Sequence, residues 1–363
     1  MKVNHPRREL LKLLGSGALT ATLGTGLSPR ARGGTAAPRI KIGQIGVGHA
    51  HASKLSVYRQ SADYEVVGIV EPDAELRSAA EAQAAFRGLP WLTQEQLFNQ
   101  PDLQAVLVET RVRDSLRTAQ ACVAAGKHIH LDKPAGESLP QFRDLLAAAE
   151  RQKLLVQMGY MYRYNPGFVL LRQFLERGWL GEPFEVHAVM SKVVAPASRR
   201  ELTAYPGGIL FELGCHLIDL VVKILGQPEQ VAGYARHSGA ADDGLRDNML
   251  AVFAYPRALA TVKSTATEVD GGARRHLVVC GTEGTFQIQP LDDPAVRVTL
   301  STARDKYRRG YQDLTLPAYT RYVDDAADMA RVIRGEKAAD YSYEHDLHVQ
   351  TALLEACGLP LDT

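Results

Sequence analysis

The chain has 363 residues, 45% hydrophobic and 23% charged, values ordinary for a folded protein with room for two domains. Formal net charge is +1, but the first 36 residues carry six Lys/Arg against one acid, which leaves the remainder at −4. A mildly acidic body argues against a nucleic-acid surface. Scattered Cys122, Cys215, Cys280 and Cys357, with no Cys-x-x-Cys pair, argue against a disulfide framework or zinc knuckle.

The chain opens on a leader, residues 1–36. Its basic start contains Arg7-Arg8-Glu9-Leu10-Leu11-Lys12, its apolar run is diluted by Gly and Thr, and small residues precede Pro38. This resembles a twin-arginine export signal, which implies cleavage near Ala36 or Ala37 and a periplasmic or otherwise exported protein. The alternatives are a disordered basic leader or a retained anchor. The run is short and glycine-rich for a membrane span, so no stable insertion is expected after cleavage.

From Pro38 onward short apolar strands alternate with amphipathic helices. Strands are expected at 39–46, 64–70, 103–110, 127–131 and 153–159, and helices at 51–60, 74–86, 115–126 and 141–150. This order predicts a doubly wound parallel α/β sheet of the Rossmann type, ending near Met158. Asn165-Pro166 then reads as an N-cap with proline in the first helical turn. Alternating runs at 184–194, 230–238, 249–255, 259–267, 275–281, 284–290 and 295–300 follow, and two helices close the chain. They predict an α+β domain with a large, mostly antiparallel sheet. The expected organisation is a leader over 1–36, a nucleotide domain over 38–158 and an α+β domain over 159–363.

Between the first strand and helix stands Gly46-x-Gly48-x-x-His51. Gly46 permits a tight turn, Gly48 a close backbone approach, and the helix N-terminus supplies amides for a pyrophosphate. Histidine at the third position departs from the usual glycine. Glu71 ends the next strand, where a carboxylate accepts from a ribose 2′-hydroxyl and repels a 2′-phosphate, so NAD is favoured over NADP. His49 and His51, two residues apart at a helix start, are expected to point to different sides. They read as solvated or phosphate-neighbouring groups, and no metal site is expected.

The stretch "GILFELGCHLIDL" places Glu212, His216 and Asp219 at spacings of four and three, on one stripe between two apolar stripes. That stripe is expected to face an internal cleft. A purely structural stripe, with Lys223 neutralising Asp219, and a metal site from these three residues are the other readings.

With the glycine loop, "LDKPAG" and "FELGCHLID" in view, the sequence after the leader resembles the Gfo/Idh/MocA oxidoreductases. "GYMYRYNPGF", "CGTEGTFQI" and "YSYEHDLHVQTALLEA" carry the resemblance further. It implies an enzyme that oxidises a secondary hydroxyl of a sugar, glycoside or cyclitol with NAD, and a homo-oligomer. Lys133, in Asp132-Lys133-Pro134, falls on the family's active-site lysine, at a peptide where a cis bond could orient it, and Asp132 replaces the family's glutamate. His216 falls on its catalytic histidine, and a near-neutral pKa suits it to accept the hydroxyl proton. Glu212 falls on its catalytic aspartate, with one methylene more, and could instead act as general acid toward a leaving group. Asp219 is expected to orient the imidazole or to bond backbone. Gly207, Gly208 and Gly214 could let a ligand approach the helix.

Glu109, Thr110, Arg111 and Arg113 replace the loop that lies along the cofactor in the family. His49 and Glu109 are therefore counted with Gly46, Gly48, Glu71 and Lys133 at the cofactor site. Tyr162, Arg163 and Arg111 are candidate substrate contacts, with interdomain packing the other reading for Tyr162 and Arg163. Export adds an expectation: without an external nicotinamide pool, the enzyme works on tightly bound NAD in a redox-neutral cycle of oxidation, elimination, hydration and reduction. The alternatives are a simple sugar or cyclitol dehydrogenase and a non-catalytic sugar- or nucleotide-binding protein.

Overall fold

The computed structural model describes residues 38–204 and 206–362; the leader expected over 1–36 lies outside them. Among the described residues no helix is long and apolar enough to cross a membrane.

Five parallel strands form the first sheet: β1 (Ile40–Ile45), β2 (Tyr64–Val70), β3 (Leu103–Val108), β4 (His128–Leu131) and β5 (Val156–Met158), in the order β2-β1-β3-β4-β5. Their near-continuous Ile, Val and Leu content suits strands covered on both faces. A bridge from Ile69 to Trp91, parallel to β2, extends the sheet by one position. Counting it as a strand gives the 3-2-1-4-5-6 order of dinucleotide-binding sheets. The helices α1 (Leu55–Gln60), α2 (Ala74–Glu81), α3 (Gln94–Phe98), α4 (Val112–Ala124) and α5 (Leu139–Arg151) connect these strands.

Local chemistry sets the helix starts. Asp73 accepts from Glu75 N at 3.0 Å and Leu76 N at 3.2 Å, capping α2. Helix α2 ends at Glu81, short of the expected Phe86. Buried Phe86 turns into the core, while Arg59 Nη1 binds the carbonyls of Ala84 and Ala85 at 3.1 and 2.8 Å.

Beyond β5, Asn165 caps α6 (Pro166–Glu176), accepting from Gly167 N at 2.9 Å, with Pro166 in the first turn. The second sheet has eight strands: β6 (Pro183–Val189), β7 (Gln230–Arg236), β8 (Asn248–Ala254), β9 (Leu259–Thr265), β10 (His276–Gly281), β11 (Gly284–Ile288), β12 (Val296–Leu300) and β13 (Gly310–Leu314). Their order is β13-β12-β11-β10-β6-β9-β8-β7, antiparallel except for β6 against β9. One face alternates buried residues, and α8 (Cys215–Leu225) packs on it, with α11 (Tyr343–Ala356) behind. Strand β13 is absent from the sequence expectation. Its half-exposed Gly-Tyr-Gln-Asp-Leu lacks an apolar face because it is an edge strand.

Short α7 (Pro196–Leu202) and α9 (Gly271–Arg274) decorate this half, and α10 (Val323–Ile333) returns to the first. Ala326, Met329 and Ala330 of α10 join Ile40, Tyr58 and Tyr64 in one core cluster, and Tyr64 Oη donates to Ala326 O at 2.7 Å. The nucleotide half is therefore completed by residues far beyond Met158.

Candidate active site

Gly46, at φ +93°, makes the turn after β1. A Cβ there would stand 2.5 Å from Thr110 N, so only glycine fits. At Gly48 a Cβ would meet Arg111 Cγ and Leu76 Cδ1, each at 3.2 Å. Both glycines wall a cleft of about 720 Å³ that also reaches Glu71, Trp91 and Arg111, within the volume range of small-molecule sites. The Glu71 carboxylate accepts from Val47 N at 2.9 Å and Asp73 N at 3.0 Å. A carboxylate accepts about four hydrogen bonds, so capacity remains for ribose hydroxyls. These residues fit a dinucleotide that carries no 2′-phosphate. Arg111 lies in this cleft, 3.4 Å from Asp73, rather than with the substrate-side residues, and Arg113 pairs with Asp114 at 3.8 Å.

Two expected cofactor contacts turn inward instead. Glu109 is fully buried, with Oε1 3.1 Å from Lys54 Nζ, while its carbonyl accepts from His49 N at 3.0 Å. His49 Nε2 donates to Lys133 O at 3.1 Å, and its Nδ1 accepts from His51 N at 3.2 Å. The glycine loop is thereby fastened to the lysine it precedes by more than eighty residues. His49 and His51 do not diverge, because the segment after Gly48 opens with a short 3-10 turn. Both rings converge on Asp132, at 3.3 and 3.2 Å.

Asp132 follows β4 and anchors this cluster. Its Oδ1 accepts from Lys133 N at 2.7 Å, and Oδ2 holds the Lys54 ammonium. Lys54 also donates to His130 Nε2 at 2.9 Å, and His130 Nδ1 donates to Gln157 Oε1 at 3.0 Å. Burial would raise the Asp132 carboxyl, yet His49, Lys54 and His51 together hold it well below its ordinary value. Burial, reinforced by Asp132, raises Glu109 well above the carboxylate range despite Lys54. The groups His49–His51–Asp132 and Glu109–His130–Asp132 are close enough to hold a metal ion. A covalently attached cation, Lys54, already stands among the second group and beside the first. Sequence reading missed Lys54, which stands in the mixed segment "HASKLSVYRQ" with no acidic residue near it in the chain.

Lys133 projects from the end of β4, after which the Lys133–Pro134 peptide is cis. Its ammonium is 3.0 Å from Glu212 Oε1 and donates to Glu212 O at 2.9 Å. Burial would lower the Lys133 pKa, but Glu212, Cys215 and Asp132 together outweigh this and raise it. Burial would raise the Glu212 carboxyl, but Lys133 and His49 hold it below its ordinary value. Glu212 is thus an ionised carboxylate, unsuited to the general-acid role, which needs a proton at neutral pH.

Glu212, His216 and Asp219 do not share one stripe. Leu210–Gly214 form a π turn before α8, and its extra residue shifts the phase of the side chains. All three residues are buried. Glu212 meets Lys133. The His216 ring lies 5.7 Å from His51, 5.8 Å from Tyr162 and 6.2 Å from Tyr160, centroid to centroid. Asp219 does not orient His216; it accepts from Arg163 Nη2 at 2.7 Å and is 3.0 Å from His345 Nε2. Arg163 also donates to Asp346 at 2.5 Å and stacks on Tyr341 at 4.0 Å, so its guanidinium is fully engaged in packing. Tyr162 remains at the site, its hydroxyl donating to Asp292 at 2.8 Å.

His216 Nδ1 is buried without a hydrogen-bond partner among the described residues. Its pKa is not near neutral: burial, then Lys133 and His51, pushes it well below the ordinary value. The three glycines near this helix serve packing. A Cβ at Gly207 would strike Phe211 at 2.3 Å, at Gly208 the Arg246 carbonyl at 2.7 Å, and at Gly214 the Leu210 side chain at 2.4 Å.

The comparisons with known proteins agree with this architecture. Residues 40–160 match the oxidoreductase family with an NAD-binding Rossmann fold, and residues 168–287 match the GFO/IDH/MocA C-terminal domain. The chain belongs to the Gfo/Idh/MocA oxidoreductase family. It is 23% identical over 269 residues to inositol 2-dehydrogenase of Salmonella typhimurium, covering 73% of this chain and 79% of that one. The aldose-aldose oxidoreductase of Caulobacter crescentus, solved with glycerol, superposes with TM-score 0.74 at 15% identity, covering 88% of this chain and 98% of that one. An oxidoreductase of Agrobacterium radiobacter, solved with NAD+, L-tartaric acid and magnesium, superposes with TM-score 0.73 at 15% identity, covering 88% and 97%. The protein is an oxidoreductase with an NAD-binding Rossmann domain.

Proposed function

We propose that this oxidoreductase acts on a secondary hydroxyl of a sugar, glycoside or cyclitol, with Lys133 and His216 handling the proton. The observation that carries the reading is the buried, neutral His216 imidazole, whose Nδ1 has no hydrogen-bond partner among the described residues and whose pKa the Lys133 ammonium helps to lower. A neutral imidazole accepts the hydroxyl proton, and an ammonium stabilises the developing alkoxide. NAD, when bound, supplies the acceptor for the hydride that leaves the same carbon. Lys133 is held as a cation by Glu212 and Asp132, so its charge is in place before substrate arrives. Glu71 supports NAD as the form bound, and the named dehydrogenases among its relatives support a hydroxylated substrate.

We extend the reading to a redox-neutral cycle in an exported homo-oligomer, motivated by the twin-arginine pattern of the leader. Once a hydroxyl is oxidised, the ketone acidifies the adjacent C–H. The ionised Glu212 carboxylate is suited to take that proton as a β-substituent departs; water then adds to the double bond, and the ketone is reduced. Mass spectrometry of nucleotide released from the purified mature protein, followed by a glycoside panel without added nucleotide, tests this. The expected result is stoichiometric NAD and catalytic turnover. Nucleotide-free protein that turns over only on added NAD would leave a simple dehydrogenase.

A further inference from the structure

Resting on the hydride-transfer reading above, we infer that the substrate is a sugar bearing a carboxylate, bound by Lys192, Arg275 and Arg321. Elsewhere in the protein, buried cations sit beside carboxyl groups. Lys54 faces Glu109 and Asp132, Arg163 faces Asp219 and Asp346, and Arg199 faces Asp243 and Asp247. Each has two acids.

On the substrate side of His216 the balance reverses. Tyr162, 5.8 Å from the His216 ring, donates to Asp292 Oδ1. That single carboxylate also takes Arg275 Nη1 at 2.5 Å and Arg321 Nη2 at 2.8 Å. Arg275 Nε reaches Ser191 O at 3.4 Å, beside Lys192. Lys192 is half-buried, and among the described residues its ammonium has neither an ion pair nor a hydrogen bond. Lys192 directly follows Ser191, the residue that Arg275 reaches, and burial, then Lys133 and Arg275, outweighs Glu212 and lowers its pKa.

Asp132 also neighbours Lys133 and His51, but Lys54 offsets it; Lys133, Lys192, Arg275 and Arg321 then stand against Glu212 and Asp292, a surplus of two positive charges around neutral His216 and His51. A partly desolvated cation without a counter-ion is unfavourable unless a ligand supplies one. A carboxylate meets the need: it accepts from an ammonium and a guanidinium together while the sugar hydroxyl faces Lys133 and His216.

The test compares methyl glucuronide, methyl glucoside and glucose 6-phosphate on NAD-loaded protein, followed by sugar consumption and by single-turnover nicotinamide absorbance. Methyl glucuronide is expected to show kcat/KM at least ~10-fold above methyl glucoside, with the preference shrinking as salt rises. Lys192→Met should remove most of that preference and Lys192→Arg should retain it. Wild-type preference and its salt dependence stand on their own if Lys192→Met fails to fold. Equal or better use of methyl glucoside or glucose 6-phosphate overturns the inference, as does a glucuronide preference unchanged in folded Lys192→Met. If no sugar is consumed and none alters the absorbance within a single turnover, the hydride-transfer reading fails instead. Thermal shifts then decide the anion question: larger stabilisation by methyl glucuronide than by the other two supports it, and equal shifts overturn it.

Discussion

Lys133 Nζ stands 3.0 Å from Glu212 Oε1 and 2.9 Å from the carbonyl oxygen of the same residue. One side chain at the end of β4 thus grips both the carboxylate and the backbone of the π turn that leads into α8. The contact joins the nucleotide sheet to the helix bearing His216 and keeps the ammonium charged.

Replacing Lys133 with Met should cut kcat by about 10²–10³, the scale of losing one donor to a developing oxyanion. NAD binding, measured by fluorescence titration, should persist. Lys133 is one of the groups depressing His216, so its removal should raise the His216 pKa. An NMR titration of that imidazole checks the direction.

Glu212→Asp should lower kcat about 10²-fold, because one methylene withdraws the carboxylate by roughly 1 Å. Glu212→Gln leaves the Lys133 ammonium buried without its counter-ion. Urea unfolding should then show a loss of about 3–5 kcal/mol, the range for breaking a buried pair from one side.

Lys54→Met should destabilise the fold by a similar ~3–5 kcal/mol, since buried Asp132 loses its nearest cation. Because an ammonium occupies the place a metal would take, zinc or chelator should leave the Tm of the wild-type protein unchanged. A rise in Tm with zinc would contradict that arrangement.

Stability should fall on acidification. Burial first, partly opposed by Asp132, lowers His51 to about 4; burial and Lys54 lower His130 to about 3. Depressed histidine pKa values mean that the unfolded chain binds more protons once pH drops below about 6.5. Their contribution is present above that pH and is lost through about 4 and then about 3. Asp325 has the opposite sign: burial raises it to about 7, so its contribution is present below about 4 and lost as pH rises to 7. Tm against pH should show the acid loss in the wild type, and Asp325→Asn should gain most relative to it at pH above about 7.

The strand–helix alternation after Pro38 was legible because parallel strands read as apolar runs and their helices as amphipathic segments. The edge strand β13 and the Trp91 bridge were not, since neither carries a buried face of its own. At the site, Gly46, Gly48, Glu71, Lys133, Glu212 and His216 were nameable from local pattern and family resemblance. Lys54 was not, because its partners at 109, 130 and 132 are distant in the chain.

Sequence by itself determined which ionisable residues the active-site helix carries and which glycines shape the nucleotide turn, because both depend on residues within a few positions. Tertiary structure decided which of them meet. A π turn breaks the regular helical spacing, sending Glu212 to Lys133, the His216 ring to His51 and the tyrosines, and Asp219 to Arg163. Phase along a helix is local, but the partner each carboxylate finds depends on charges brought in from other elements.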